Sequence, residues 1–352
     1  MSRILFVPVS GDCGSGEVQR CRLLADALHA ATPDARPHFL LTAGAPPVPW
    51  PVTRLPASPT RAVGDVVAAI RELRPRVVVF DGNARVATLE AARAEGAETV
   101  LVSPRPSACR RGFRLRRMAR MSEHWLVGVE FLAGRCWRER LAALVHGRVR
   151  VRRFAAIHAE PAPAGPLLAR LGLDRPYVVA CPGGGGHRLG GDDSRSLIGR
   201  AADALTAMGI TTAAVGAPSP ASAVDVARLD NADLMALLAG SEAALLGGGS
   251  LLGQALALGV PVVARPFQRE QAARVAWLAA RGLVASTPDD DAAGLATALA
   301  GLLRDEARRA RLRQSGKALG LRNGLEEAVS ALGRLAGLAA ADDHFTAAIA
   351  LP

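Results

Sequence analysis

The chain has 352 residues, of which 50% are hydrophobic and 21% are charged, the composition of an ordinary globular protein. This length exceeds the usual size of one hydrophobic core and predicts two domains. Residues 1–150 carry 23 arginines and 13 acidic residues, a net charge of +10, whereas the remainder carries 20 basic and 19 acidic residues. Nearly all of the positive charge therefore belongs to the first half.

The cysteines and the apolar runs indicate a cytoplasmic protein. The five cysteines are scattered without a CxxC pair, which fits a reducing compartment without a structural metal. The apolar stretch at the N-terminus is too short and too β-branched for a signal peptide. The longest uncharged run, residues 243–264, contains a glycine triplet, Gln254 and Pro261, and these favour a strand-turn-helix-strand over a membrane span.

Short apolar runs alternate with helical patterns along the whole chain. In the first half we predict strands at residues 4–9, 38–42, 77–80, 99–102 and 125–127, separated by helices such as 18–30, 61–73 and 84–95. A proline- and alanine-rich stretch at about 157–175 is typical of a linker with one short helix. The alternation then resumes, with strands at 177–181, 211–215, 243–246 and 260–264. This order predicts an α/β fold with two parallel, doubly wound sheets that face a cleft.

Residues 105–120, "RPSACRRGFRLRRMAR", contain seven arginines and no acidic residue. On a helix this segment would suit an anionic membrane surface or an acidic ligand, and a solvated surface helix is the alternative. Nucleic acid is a less favoured partner, because neither an aromatic platform nor a known reading motif accompanies the charge.

Three glycine-rich turns each follow a predicted strand and precede a predicted helix, at residues 11–17, 182–187 and 247–250. Glycine lets the backbone approach a ligand and aims the amides of a helix N-terminus at an anion. The repetition favours a phosphate site. The first turn lacks GxGxxG spacing and no acidic residue ends the second strand, which disfavours a dinucleotide oxidoreductase, and the chain contains no Walker A loop.

Residues 231–282, "NADLMALLAGSEAALLGGGSLLGQALALGVPVVARPFQREQAARVAWLAARG", resemble the nucleotide-sugar-binding half of GT-B glycosyltransferases, particularly the MurG-like group. The start "GSGEVQRCRLLADAL", residues 14–28, is similar to that of the nucleotide-sugar hydrolases of the pseudaminic acid pathway. The resemblance implies an acceptor-binding Rossmann-like domain at 1–155, a linker at 156–176, a nucleotide-sugar-binding Rossmann-like domain at 177–340 and a tail at 341–352.

Two positions depart from these relatives. Gln254 stands where most have a glutamate that accepts hydrogen bonds from the ribose, so its bond should be weaker. Glu17 stands where the hydrolases and MurG-like enzymes have a histidine. A carboxylate can act as a general base if burial raises its pKa, and it can also simply complement the dipole of the helix.

The candidate site combines the glycine turns with the positions that the resemblance implies. We predict catalytic roles for Glu17, Asp81 and His187, Asp81 because it directly follows a buried strand. The predicted substrate-binding residues are Gly14, Ser15, Gly16, Gly184, Gly185, Gly186, His187, Gly248, Gly249, Ser250, Gln254, Glu270 and Gln271. We expect neither a metal nor a cofactor, because oriented amides and a helix dipole can neutralise a departing diphosphate.

The resulting hypothesis is an inverting, metal-independent glycosyltransferase that moves a sugar from a UDP- or dTDP-sugar to a hydroxyl or amine. The basic segment suggests an acidic or membrane-held acceptor, and hence a cytoplasmic protein at the inner membrane face. Two alternatives stay open: a nucleotide-sugar hydrolase, and a non-catalytic partner protein that kept the fold. The oligomeric state is not predicted.

Overall fold

The computed structural model describes residues 1–9, 16–145, 149–174, 176–184, 188–189, 192–287, 289 and 291–338. Two parallel sheets, one near each end of the chain, are covered by helices on both faces. No helix in this described part combines the length and the apolarity needed to span a lipid bilayer.

The first sheet has seven parallel strands in the spatial order β3-β2-β1-β4-β5-β6-β7. Its strands are β1 Ser2–Pro8, β2 Ala35–Thr42, β3 Val52–Leu55, β4 Val77–Asp81, β5 Glu98–Ser103, β6 Glu123–Val127 and β7 Arg150–Phe154. Every residue of β4 is buried, as expected for a central strand with helices on both faces.

Helices of the N-terminal domain cover the two faces of this sheet. They are α1 Gly16–Ala31, α2 Val63–Leu73, α3 Val86–Ala94, α4 Pro106–Gly112, α5 Leu115–Met118 and α6 Trp137–Val145, with a 3-10 turn at Val129–Phe131. Successive residues of β1 point to opposite layers. Phe6 belongs to the core beneath α1, whereas Leu5 belongs to the core beneath α2 and α3.

The second sheet has five parallel strands in the order β12-β11-β8-β13-β14, and a two-stranded hairpin, β9 with β10, lies beside it. The strands are β8 Val178–Cys181, β9 Arg188–Leu189, β10 Asp192–Asp193, β11 Thr212–Val215, β12 Val224–Val226, β13 Ala243–Gly247 and β14 Val262–Arg265. The helices are α7 Ala164–Leu171, α8 Ser194–Ala207, α9 Asn231–Ala239, α10 Ser250–Ala257, α11 Arg269–Ala279, α12 Ala292–Arg304, α13 Glu306–Ala318 and α14 Leu325–Leu335.

The chain passes twice between the two domains. The first crossing follows β7, and the second follows α13 and leads into α14, whose Ala328 and Leu332 pack into the N-terminal core. The two crossings touch: the side-chain amide of Asn323 donates to the carbonyl of His158 (2.8 Å), and its Oδ1 accepts from the His158 N–H (3.1 Å). The last described helix thus returns to the first domain, while the domain limits drawn from the sequence remain a prediction.

Candidate functional site

A cleft with a volume of about 310 Å³ lies between the two domains. The segments that follow β5, β8, β11, β12, β13 and β14 line it, together with the start of α1. These segments stand at the carboxyl ends of parallel strands, where α/β proteins bind their ligands. The lining includes Gly16, Glu17, Gly184, Gly249, Ser250, Gln254, Glu270 and Gln271 from the sequence prediction.

Two helix N-termini meet in this cleft, one from each domain. A methyl group placed on Gly16, the first residue of α1, would lie 4.0 Å from the hydroxyl of Ser250, the first residue of α10. Gly249 precedes α10 in extended conformation and no side chain caps this helix. The first amides of a helix have no partner within it and carry a partial positive charge. The cleft therefore offers backbone donors to an anion from both sides.

The glycine turn after β13 is explained partly by packing and partly by the cleft. A side chain at Gly247 would come 2.3 Å from the carbonyl oxygen of Pro182, and one at Gly248 would come 3.0 Å from Gln271 and Val275. A side chain at Gly247 would therefore clash with the backbone of the segment after β8, whereas one at Gly248 would require α11 to shift by a few tenths of an ångström. Gly249 is different, because the nearest atom to its absent side chain is 3.9 Å away and the residue lines the cleft.

Gln254 and Gln271 use part of their amides to hold the walls of the cleft. Gln254 Nε2 donates to the carbonyl of Ile157 on the first crossing (2.9 Å). A glutamate could not make this bond, because an ionised carboxylate only accepts. Gln271 Oε1 accepts from the N–H of Phe267 (2.7 Å), which fixes the turn before α11. Glu270 is half-buried beside it in the cleft wall.

Glu17 lies in the first turn of α1 with only 15% of its side chain exposed. Its Oε1 accepts from Arg105 Nη2 at 3.2 Å, and both residues line the cleft. Gly82 leaves room for it: a methyl group there would lie 3.6 Å from Glu17 Cγ, and the backbone of Gly82 has a positive φ of 93°. A carboxylate is thus held at the mouth of α1 beside a cation.

Asp81 ends β4 and is completely buried. Arg20 Nε and Nη2 donate to its two carboxylate oxygens at 2.8 and 2.7 Å. Burial raises the pKa of Asp81 to about 6, and the adjacent Arg20 opposes that rise. Burial alone would lower the pKa of Arg20, but attraction to Asp81 and the hydrogen bonds raise it. Asp81 is not among the residues that line the cleft, whereas Arg20 is.

Arg274 connects the two domains at the cleft, and the sequence analysis did not identify it. From α11 its Nε donates to Glu130 Oε1 (2.8 Å) and its Nη2 to the carbonyl of Pro104 (2.8 Å), both in the N-terminal domain. Its Nη1 donates to the carbonyl of Gly248 (3.2 Å). A single arginine in a helical pattern carries no signal of such long-range contacts.

Five predicted site residues lie outside the described residues: Gly14, Ser15, Gly185, Gly186 and His187. Their roles remain predictions. In the described part of the chain, no group of three or more His, Cys, Asp or Glu side chains is arranged to hold a metal ion.

No known protein family and no curated protein matches the sequence. The structure, however, is similar to that of the spinosyn forosaminyltransferase SpnP, with 15% sequence identity and a TM-score of 0.65 over 96% of this chain and 99% of that chain. It is also similar to the glycosyltransferase VinC, solved in complex with dTDP, with 17% identity and a TM-score of 0.60 over 96% and 100% of the two chains. A UDP-N-acetylglucosamine 2-epimerase from Listeria monocytogenes matches at 13% identity and a TM-score of 0.57, over 94% and 95%.

Likeness at these identities concerns the fold. The similarity extends over nearly the whole length of this chain and of both transferases. The prediction of two Rossmann-like domains that face a cleft is confirmed, and the fold of the chain is GT-B.

Proposed function

We propose that this protein is an inverting glycosyltransferase that moves a sugar from a UDP- or dTDP-sugar to an acceptor hydroxyl or amine without a metal. The observation that carries the proposal is the meeting of the α1 and α10 N-termini in one cleft, at Gly16 and Ser250. The start of α10, which no side chain caps, and the start of α1, with Arg20 and Arg105 in the same cleft, supply the positive potential that a departing diphosphate requires. The sugar transferases among the structural neighbours support this class of reaction.

In this proposal the C-terminal domain holds the donor. The amides at Gly249 and Ser250 receive the diphosphate, because both residues line the cleft and the nearest atom to the absent side chain of Gly249 is 3.9 Å away. Gly184 lines the same cleft. The ribose lies between Gln254 and Glu270. Gln254 keeps its carbonyl oxygen for a ribose hydroxyl, since its Nε2 is used by Ile157.

Glu17 is the general base in this proposal. The acceptor oxygen or nitrogen attacks the anomeric carbon from the face opposite the diphosphate, and its proton passes to Glu17. The bond to the diphosphate breaks, and its electron pair leaves with the phosphate oxygen near the α10 start. Asp81 serves a different purpose, because its carboxylate is buried and fully used by Arg20. It positions Arg20 toward the cleft.

The donor site is tested by titrating UDP and dTDP calorimetrically in the absence of magnesium. We expect binding to the wild-type protein, and Ser250→Trp should weaken it at least about 100-fold, because the indole would fill the space at the α10 start. Ser330→Trp, on the exposed side of α14, is the matched control and should bind as wild type. If neither nucleotide binds the wild-type protein, the site assignment is wrong.

The base is tested by Glu17→Gln. Turnover should fall by about 10²- to 10⁴-fold while the donor dissociation constant changes little. Glu326→Gln is the control, because Glu326 also lies in the first turn of a helix but far from the cleft. If both changes lower turnover equally, Glu17 is not the base and only complements the dipole of α1.

The same reagents separate the alternative functions. A hydrolase would release free sugar from the donor with no acceptor present, at a rate that added acceptor does not raise. A non-catalytic partner protein would bind the nucleotide yet show no turnover with any acceptor.

A further inference from the structure

A second, open pocket of about 1020 Å³ lies on the surface of the N-terminal domain, between the start of α3 and helices α4, α5 and α6. We call it the basic pocket. Its lining contains seven arginines and no acidic residue: Arg85, Arg110, Arg111, Arg114, Arg116, Arg117 and Arg138.

The arginines of the basic pocket are only weakly neutralised, with Glu270 as the one described carboxylate that acts on Arg111 from a distance. Within the described part of the chain, none of the seven forms an ion pair with a carboxylate, whereas nearby Arg105 and Arg120 pair with Glu17 and Glu90. Like charges held together without counter-ions repel one another, so an anion that enters the pocket relieves this repulsion.

Two of the seven arginines are held in place by burial. Arg117 is only 7% exposed, and its Nη1 donates to the side-chain oxygen of Asn83 at 3.0 Å. Burial, and the nearby Arg114 and Arg111, lower the pKa of Arg117 to about 10. Arg111 is partly buried, and its Nε is shielded from solvent without a hydrogen-bond partner. A guanidinium group that burial holds in place presents its outer N–H groups in a fixed geometry, which suits planar, multidentate recognition of phosphate.

The basic pocket and the cleft are separate sites that lie on either side of the start of α4. Arg105, immediately before α4, lines the cleft, whereas Ser107, Arg110 and Arg111 on α4 line the basic pocket. A ligand in the pocket would therefore sit next to the Arg105 and Glu17 pair without occupying the proposed donor site.

We propose that the basic pocket binds a small, soluble ligand that carries clustered phosphate groups. The proposal does not depend on the transfer reaction, because no residue that lines the basic pocket also lines the cleft. Phosphate groups are favoured over single carboxylates because seven cations converge on one pocket and each phosphate presents several acceptor oxygens.

The test is calorimetric titration of inorganic tripolyphosphate at low ionic strength, with UDP titrated separately. Arg110→Gln together with Arg114→Gln removes two exposed cations of the pocket, and we expect tripolyphosphate affinity to fall at least about tenfold while UDP affinity is unchanged. Arg308→Gln with Arg311→Gln is the matched control: it removes two exposed arginines from α13, and tripolyphosphate binding should stay at the wild-type level.

Three results would overturn the proposal: no tripolyphosphate binding by the wild-type protein, equal loss in the two double variants, or binding only to vesicles with anionic lipid and not to tripolyphosphate. The last result would assign the pocket to a membrane surface. If the wild-type protein binds tripolyphosphate but not UDP, the proposed donor site is wrong and the proposal for the basic pocket still holds.

Discussion

The two domains share one architecture but differ in how many charged side chains they bury. Among the described residues, the N-terminal domain buries six Arg, Asp, Glu or His side chains: Arg20, Asp81, Arg117, Glu123, His124 and Glu139. The described part of the C-terminal sheet and its helices buries one side chain of these four types, Arg265. Similar sheets can therefore present different chemistry to one cleft. Both domains contribute a helix start, but the charged residues of the N-terminal domain in the cleft, Glu17, Arg20 and Arg105, are backed by the buried Asp81, whereas the C-terminal domain adds its glycine turns.

Among the changes that test this difference, we expect Asp81→Asn to have the largest effect on the free energy of unfolding. It leaves the Arg20 guanidinium buried with a neutral partner, and we expect a loss of about 3 to 5 kcal/mol in the free energy of unfolding. The control, Asp233→Asn, breaks the surface pair of Arg170 and Asp233 in the C-terminal domain and should cost at most about 1 kcal/mol. Urea unfolding followed by circular dichroism measures both. Similar losses would mean that the burial of the Arg20 pair has no special cost.

In the C-terminal domain the sensitive positions are predicted to be glycines. Gly247→Ala places a methyl group against the carbonyl of Pro182, and we expect it to lower the free energy of unfolding by about 2 to 3 kcal/mol. Gly301→Ala on α12 meets no atom within 4 Å and should raise it by up to about 1 kcal/mol. Thermal unfolding of the two variants and the wild-type protein under the same conditions measures both changes in stability. A harmless Gly247→Ala would show that the strand ends can separate.

The smallest expected effect is the loss of stability at acidic pH that His124 causes. His124 is buried, its Nε2 lies 2.9 Å from the Ser103 hydroxyl, and burial lowers its pKa to about 3. Because the folded state binds the proton less readily than the unfolded state, His124 adds stability above pH 6.5 that is lost as the pH falls toward 3. Between pH 7.5 and 5 we expect a loss of about 2 kcal/mol from this group.

The measurement for His124 is the slope of unfolding free energy against pH. His124→Gln should flatten this slope whatever its effect on absolute stability, while His29→Gln, on partly exposed α1, should keep it. An unchanged slope in His124→Gln would contradict the assignment of acid sensitivity to this residue.

The order of strands and helices could be predicted because the central strands are continuous apolar runs. "ILFV" in β1 and "VVVF" in β4 are buried along both faces, and turns rich in glycine follow several of the strands. Three of the four edge strands of the two parallel sheets, β3, β7 and β12, were not predicted, whereas the apolar edge strand β14 was. "RVRRF" in β7 is partly exposed and carries three arginines, so its pattern does not differ from that of a polar loop. Edge strands owe their pairing to the neighbour and not to their own composition.

The site could be predicted only where local sequence carries the signal. Glycines at strand ends and the first residue of α10 have such signals. The contacts of Arg20 with Asp81 span 61 positions, and those of Arg274 with Glu130 and Pro104 span 144 and 170. Spacing along the chain says nothing about pairs so distant. The pairing of Asp81 with Arg20, and the inter-domain contacts of Arg274, could therefore be found only in the three-dimensional structure.

The paired crossings restrict how the two domains can move. Asn323 joins one crossing to the backbone of the other at His158, so both connections lie along one line. We expect two adjacent connections to oppose sliding and twisting, which leaves rotation of one domain against the other as the softest motion. Gln254 donates to Ile157 on the first of these connections. A molecule that competes for the amide of Gln254 is therefore expected to alter the angle between the two domains.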